Sequence, residues 1–163
     1  MDGAKYISSV IKPALEQRCS NQSCPADNTF HVVMNLPSLA IDFLQHFRGL
    51  LSDLQLAELP RASLWPVIHC YSFSCADDPV ADAAERTAKA VGVTSFDLLE
   101  DHSVRIVRNV APGKEMLCVT FRLPWHVLAG TEHGMSTSFI MPSPCQYCIG
   151  SPKDCRGMDS WPK

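Results

Sequence analysis

A short apolar run that ends in Asn-Leu-Pro constrains the fold of this chain more than any other feature. The run is FHVVM, from Phe30 to Met34, and Asn35, Leu36 and Pro37 follow it directly. Unbroken apolar character is typical of a strand in a parallel sheet covered on both sides, because a strand with one face in water alternates apolar and polar residues. We therefore predict a strand that is buried on both faces.

Helical patterns flank this strand. Before it, residues from Lys5 to Gln17 place five apolar side chains on one helical face, and Pro13 within the segment predicts a kink or a late start. After it, Ser38 is a favourable N-cap for a helix that extends to about Leu51. The apolar face of the first helix comprises Tyr6, Ile7, Val10, Ile11 and Leu15, and that of the second comprises Ala40, Ile41, Phe43, Leu44, Phe47, Leu50 and Leu51.

The second half of the pattern predicts one more strand, one more helix and a hairpin. LWPVIHCYSF, residues 64–73, is the next strand, and a helix follows from Pro79 to about Val91, ended by Gly92. VRIVRNV at 104–110 and MLCVTFRL at 116–123 are strands joined by a turn at 111–114. The order indicates an α/β fold, a doubly wound sheet with right-handed crossovers that ends in an antiparallel hairpin.

Composition narrows the class of protein. The 163 residues are 46% hydrophobic and 19% charged, without an apolar run of the length that a membrane span needs, so we expect a globular chain with no membrane contact. A net charge of −3 argues against a free-standing nucleic-acid binder. Eight dispersed cysteines, two of them (Cys70 and Cys118) in apolar strand patterns, favour free thiols in a reducing compartment over a disulfide scaffold.

The chain changes character after the hairpin. From Trp125 to Lys163 it has no sustained period, and we predict a largely unstructured segment. A single CxxC pair lies within it, with another cysteine and a histidine nearby. Structural zinc usually takes two such pairs, so we expect no metal site. These four residues are Cys145, Cys148, Cys155 and His133.

The candidate site lies where strands end, because ligands of open α/β sheets bind beyond the carboxyl ends of the strands. Asn35 could hold a flat heterocycle through its amide and backbone carbonyl, with Pro37 stiffening the backbone. The plain alternative is a strand-to-helix turn, for which Asn and Pro are favoured anyway. Asp2-Gly3 is by itself a common turn sequence, although it would lie just past the end of a strand outside this chain.

Two other groups of polar residues have simpler interpretations. His31 and His69 could act as bases, but packed strand histidines with satisfied hydrogen bonds are the expected state. Three cations surround the predicted hairpin, where solvated strand-edge charge is the default and phosphate contact is the alternative. They are Arg105, Arg108 and Lys114.

Four blocks in order resemble consecutive blocks of the eukaryotic tRNA (guanosine-37 N1) methyltransferases. They are MDGAKYI, FHVVMNLPSLAIDFL, LWPVIHCYSFS and VRIVRNVAPGKEMLCVTFRLP. The resemblance extends from about Asp2 to Leu128, and it implies the C-terminal part of a catalytic domain with a Rossmann-like class I methyltransferase sheet, whose ending is such a hairpin. We accordingly expect residues 1–128 to form part of that domain and 129–163 to be a disordered tail.

The resemblance also implies a chemistry. It is methyl transfer from S-adenosylmethionine to N1 of guanosine 37 in tRNA. Asp2, Gly3 and Asn35 would contact the cofactor; Asn35 and Pro37 would contact the target base, and Arg108 and Lys114 the RNA. A general base is expected upstream of the matched part, so no catalytic residue is assigned here. The family suggests a monomeric complete enzyme in the cytoplasm, nucleus and mitochondrial matrix.

Departures from the family keep alternatives open. The family's glycine-containing cofactor loop, its ribose-binding acid and its tRNA-recognition domain lie upstream of the matched residues, so we expect little or no catalysis by this chain alone. A wybutosine-pathway transferase, which moves the aminocarboxypropyl group of the same cofactor, is the second enzyme reading. Asn-Leu-Pro followed by Ala40 fits the methyltransferase better. A non-catalytic interaction fragment is the third.

Overall fold

The computed structural model describes residues 2–20, 29–54 and 65–131. As far as residue 122, its main helices and strands follow one another in the order that the sequence predicts. The helices are α1 (Gly3–Tyr6), α2 (Lys12–Ser20), α3 (Ala40–Phe43), α4 (Pro79–Val91) and α5 (Trp125–Ala129), with a π-helical turn at Ile7–Ile11 and 3-10 turns at Leu44–Phe47 and Phe96–Leu98. The strands are β1 (His31–Met34), β2 (Val67–Ser74), β3 (Glu100–Ala111) and β4 (Lys114–Arg122).

The four strands form one mixed sheet in the order β1-β2-β4-β3. β1 and β2 are parallel and are connected through α3, whereas β4 is antiparallel to both of its neighbours, β2 and β3. The left-handed conformation at Gly113 (φ 69°) turns the chain between β3 and β4. The predicted α/β class with its terminal antiparallel hairpin is therefore confirmed.

One face of this sheet carries the core. Val32, Ile68, Val119 and Phe121 are buried in a single apolar cluster that also contains residues of α2, α3 and α4. Val33, the neighbour of Val32 on the opposite face, is 64% exposed. The prediction that β1 is buried on both faces is thus wrong within the described residues. An unbroken apolar strand is suited to a sheet with helices on both faces, whereas the described helices cover only one face of this sheet.

We call the side of the sheet opposite this core the open face. The strand register identifies the residues that lie on it. The open face carries Val33, His69, Tyr71, Phe73, Met116, Cys118 and Thr120, which are paired across β1, β2 and β4. None of these belongs to the core cluster. No helix among the described residues packs against this face in the core cluster, although Cys118 on it is buried.

The N-terminal helical segment runs from Gly3 to Ser20 without a break. Ile7, Ile11 and Leu15 are buried at intervals of four residues, while Tyr6 (48%) and Val10 (40%) remain exposed, so the predicted apolar face is correct for three residues of five. The wider π-helical turn comes just before Pro13, whose nitrogen has no hydrogen to donate to the preceding turn.

The predicted helix from Ser38 to Leu51 is shorter than expected. Leu39 occupies the N-cap position without a side-chain bond, so Ser38 is not the cap. The helical turns end at Phe47 because the N–H groups of Gly49 and Leu51 donate to the carbonyls of Val127 and Leu128, both at 2.8 Å.

These same bonds reveal a helix that the sequence pattern missed. α5 lies within the segment predicted to be unstructured, and its Val127 and Leu128 are buried. That prediction is therefore wrong for residues 125–129. The domain boundary at 128 stays a prediction, and the four residues of the possible zinc set lie outside the described ranges.

The other local predictions are largely confirmed. β2 begins at Val67 rather than at Leu64, and α4 has the predicted bounds. The Asp78 carboxylate caps α4, and Gly92 ends it at φ 89°. Within the described ranges Cys19, Cys70, Cys75 and Cys118 are free thiols. No helix in those ranges is both long and apolar enough to cross a bilayer.

Candidate active site at the carboxyl ends of the strands

The carboxyl ends of β1 and β2 meet at one edge of the sheet, where open α/β folds bind their ligands. The Asn-Leu-Pro turn, residues 35–37, follows β1 at this edge, and Phe73 lies near the end of β2. The two are joined directly, because the N–H of Phe73 donates to the carbonyl of Pro37 at 3.2 Å. β4 begins here too, with Met116 opposite Phe73, so the hairpin turn belongs to the same edge.

The Asn-Leu-Pro turn presents one amide and an apolar surface to solvent. The Leu36 carbonyl accepts from the N–H groups of Leu39 and Ala40, both at 2.8 Å, which closes the turn into α3. Asn35 is exposed, and its side chain has no hydrogen-bond partner within the described residues. Leu36 (56%) and Leu39 (49%) are exposed as well. A polar group beside apolar side chains suits a flat, polar ring.

Lys114 is the predicted RNA-contacting residue that the structure links to this turn, through Phe73. Its ammonium Nζ lies 4.4 Å from the centre of the Phe73 ring, a cation–π contact. Arg108 lies opposite Met116 on the hairpin, exposed and without an ion pair in the described part of the chain. The structure thus places both cations on the hairpin, but it links only Lys114 to the Asn-Leu-Pro turn.

Asp2 and Gly3 lie at the start of α1. The Asp2 side chain is exposed and makes no capping bond. Gly3 packs against α3 so closely that an added Cβ would lie 2.7 Å from the Phe43 ring. A side chain at this position would therefore have to displace the ring of Phe43, a residue of the helix that follows the Asn-Leu-Pro turn.

The two strand histidines are hydrogen-bonded, as expected. His31 Nδ1 lies 2.9 Å from His69 Nε2, and His69 Nδ1 lies 3.1 Å from the hydroxyl of Thr120. Burial and, secondarily, the nearby His31 lower the pKa of His69 below its usual value. His31 is the first residue of β1, at the opposite end from the carboxyl edge.

Arg105 lies on the open face of the sheet. It lines a shallow groove of about 310 Å³ together with six other residues: Val33, His69, Tyr71, Ser103, Cys118 and Thr120. Lys114 instead contacts Phe73 at the sheet edge. The clustering of Arg105, Arg108 and Lys114 around the hairpin stays a prediction.

Phe73, Phe43 and Arg86 are site residues that the sequence interpretation missed. Arg86 Nη2 donates to the Phe73 carbonyl at 2.7 Å and pairs with Asp82 at 2.9 Å. The only sequence signal for Phe73 is its place near the end of the second predicted strand. Phe43 was assigned simply to an apolar helix face, and nothing in the pattern pairs it with Gly3.

Metal-binding side chains do not cluster in the residues that the structure describes. No group of three or more His, Cys, Asp or Glu residues is arranged there to hold an ion.

Comparison with known proteins relates most of the chain to one enzyme. It is 42% identical over 127 residues to the tRNA (guanine(37)-N(1))-methyltransferase of Xenopus tropicalis, covering 78% of this chain and 24% of that protein. The Homo sapiens protein of the same name is 39% identical over 130 residues, with 78% and 24% covered. That of Batrachochytrium dendrobatidis is 46% identical over 95 residues, with 58% and 19% covered. No protein-family model matches.

One solved structure is similar at a lower level. The crystal structure of WT Trm5b from Pyrococcus abyssi is 23% identical, with a TM-score of 0.37 over 60% of this chain and 27% of that one. The chain spans about a quarter of the length of the curated relatives that it matches. Over most of its own length, the chain is thus related in sequence to the eukaryotic tRNA (guanine(37)-N(1))-methyltransferases.

Proposed function

We propose that this chain supplies the C-terminal part of the catalytic domain of a tRNA (guanine-N1)-methyltransferase, which transfers a methyl group from S-adenosylmethionine to N1 of guanosine 37. The observation that carries the proposal is the carboxyl edge of the sheet. There the Asn-Leu-Pro turn is bonded to Phe73, and Lys114 rests on the Phe73 ring. Two of the residues that the family resemblance assigns to base and RNA, Pro37 and Lys114, are thereby connected through Phe73.

The exposed groups at this edge suit the cofactor in part. The Asp2 carboxylate could accept from an adenine amino group, and it has no side-chain partner within the described residues. Gly3 is less informative, because the Phe43 ring already occupies the space that a Cβ would need. S-adenosylmethionine supplies an electrophilic methyl group on a sulfonium centre.

Asn35 and Pro37 would orient the target base. Methyl transfer requires the acceptor nitrogen to approach within about 3 to 3.5 Å, in line with the leaving sulfur. The Asn35 amide and backbone can hydrogen-bond a guanine edge, while the Pro37 carbonyl, held by the Phe73 N–H, keeps the turn in place. The base must leave its stack to reach such a site, which costs a few kcal/mol and favours a loop nucleotide.

The 163 residues on their own should show little methyl transfer. Guanine N1 must lose a proton, which calls for a general base, and the family resemblance places that base upstream of the matched residues. The open face also leaves Val33 largely in water, so the sheet lacks a covering layer within the described residues. We propose that activity requires the remaining parts of a complete methyltransferase, in the cytoplasm, nucleus or mitochondrial matrix.

Two other functions make different predictions. An aminocarboxypropyl transferase of the wybutosine pathway would use the same cofactor but transfer a different group. A non-catalytic interaction fragment would bind a partner and transfer nothing. The uncovered Val33 is the observation that favours a partner-binding role for the isolated chain.

A chimera distinguishes these functions. Residues 2–128 would replace the matching segment of the Xenopus tropicalis relative, and the protein would be incubated with unmodified tRNA carrying guanosine 37. S-adenosylmethionine labelled in the methyl group should label the tRNA, whereas cofactor labelled in the carboxyl group should not. Transfer of the carboxyl label would indicate the aminocarboxypropyl reaction. A folded chimera that transfers neither label would refute the enzymatic proposal. The isolated chain is assayed in parallel and should transfer neither label.

A further inference from the structure

Phe73 makes three contacts that connect three elements at the carboxyl edge. Its N–H donates to the Pro37 carbonyl at 3.2 Å, and its own carbonyl accepts from Arg86 Nη2 at 2.7 Å. Its ring lies under the Lys114 ammonium at 4.4 Å. A single residue thus touches the Asn-Leu-Pro turn, α4 and the hairpin.

The backbone and the ring have separable effects. The two backbone bonds hold the end of β2 beside the Asn-Leu-Pro turn and would survive a change of side chain. Only the ring contacts Lys114, whose long side chain otherwise has many rotamers. The ring therefore ties the ammonium to the residue whose N–H binds Pro37.

The carboxylate of the next residue, Glu115, is engaged elsewhere. Glu115 Oε1 accepts from Asn109 Nδ2 at 3.0 Å, across the hairpin. Lys114 forms no ion pair within the described part of the chain. Phe73 is accordingly the contact that orients the Lys114 cation, and the ammonium keeps its hydrogens available for a further ligand.

We propose that Phe73 is a positioning residue, whose ring holds the Lys114 ammonium beside the Asn-Leu-Pro turn so that it meets an RNA phosphate. The RNA contact rests on the proposed function, whereas the coupling of ring and ammonium does not. A mobile cation can contact an RNA phosphate from many positions. A cation held beside the base-binding turn would instead fix how the RNA backbone lies relative to that turn.

The coupling is tested first by nuclear magnetic resonance of the full chain labelled with 13C-lysine. Protons above an aromatic ring are shifted upfield, so the Lys114 Hε signal, assigned with K114R, should lie apart from the other lysines. It should move to their position in F73L and stay shifted in F73Y. Y71L, two residues along the same strand and face, is the matched control and should leave it in place. A Lys114 signal unchanged in F73L would overturn the coupling.

The RNA contact is tested by a double-mutant cycle on tRNA binding by the full chain at low salt. K114M should weaken binding roughly fivefold, as expected for the loss of one phosphate contact. The same change in an F73L background should have less than half that effect, and F73Y should restore the full effect. An equal effect of K114M in both backgrounds would overturn the positioning role. If no variant binds tRNA, the RNA part is refuted for this chain, while the lysine spectrum still decides the coupling.

Discussion

His31 Nδ1 lies 2.9 Å from His69 Nε2 across the parallel pair β1–β2, and the two rings stack at a centroid distance of 5.2 Å. At this distance one nitrogen donates a hydrogen bond and the other accepts it. The contact therefore requires a proton on only one of these two nitrogens. Burial, and then the charge of His31, lower the pKa of His69. The pair therefore favours the neutral form of His69 in the folded protein.

The free energy of unfolding of the chain should consequently decrease as the pH is lowered into the acidic range. An unfolded histidine has a pKa of about 6.5, and that of folded His69 is lower, so the unfolded state binds the proton more readily. This stabilisation is fully present above the pKa of the unfolded state and is lost as the pH falls through the pKa of the folded state.

Urea unfolding at pH 7.5 and pH 5.5 should show a smaller loss of stability at the lower pH in H69Q than in the unsubstituted chain. H46Q, an exposed histidine on another element, is the control. An equal loss in H69Q and in the unsubstituted chain would assign the pH dependence to other groups.

Gly3→Ala should destabilise the folded chain because its Cβ would lie 2.7 Å from the Phe43 ring. Overpacking of this kind typically costs about 1 to 3 kcal/mol, measured here as the free energy of unfolding in urea. F43L removes the clash, so adding G3A to F43L should cost clearly less than adding it to the unsubstituted chain. Equal costs in the two backgrounds would show that Phe43 does not require the glycine.

Asp78→Ala should remove the cap of α4. The Asp78 carboxylate accepts from the N–H groups of Val80 and Ala81 at 3.1 and 3.0 Å. Loss of such a cap costs about 1 kcal/mol in the free energy of unfolding, and D78N should retain much of it. D77A changes the preceding exposed acid and should have little effect. D78A and D77A with equal stabilities would contradict the capping role.

Truncation should locate the end of the folded domain. Leu128 is 1% exposed, and α5 accepts the N–H groups of Gly49 and Leu51. A chain ending at residue 124 should therefore be less stable than one ending at 131, and L128A alone should cost about 2 to 5 kcal/mol. The chain ending at 131 should unfold at the same urea concentration as the full chain. A large loss in that shorter chain would place part of the fold beyond residue 131.

Local chemistry made much of this fold predictable. The bounds of α4 follow from Asp78, Pro79 and Gly92, because capping and left-handed glycine act within one turn. The hairpin follows from two apolar strands separated by Pro112-Gly113. The position of the candidate site follows from topology alone, since the Asn-Leu-Pro turn comes at the end of a parallel strand.

Contacts between distant segments were not predictable in this way. α5 forms where the pattern looks irregular, because its carbonyls pair with Gly49 and Leu51 from a segment nearly eighty residues earlier. Gly3 looks like a turn glycine until Phe43 is placed above it. Val33 is of a residue type typical of a core, and only the arrangement of the described helices shows that they leave its face of the sheet exposed.

The Asn-Leu-Pro turn should form a wall of the methyl-transfer site, and the chimera of residues 2–128 with the Xenopus tropicalis relative tests this directly. The measurement is the single-turnover rate of methyl transfer to tRNA carrying guanosine 37, with and without N35A, alongside the affinity for the same tRNA. We expect N35A to lower the rate about 100-fold, because a small misplacement of the reacting atoms has an effect of that size, with tRNA affinity nearly unchanged. A folded N35A chimera with an unchanged rate would contradict the account.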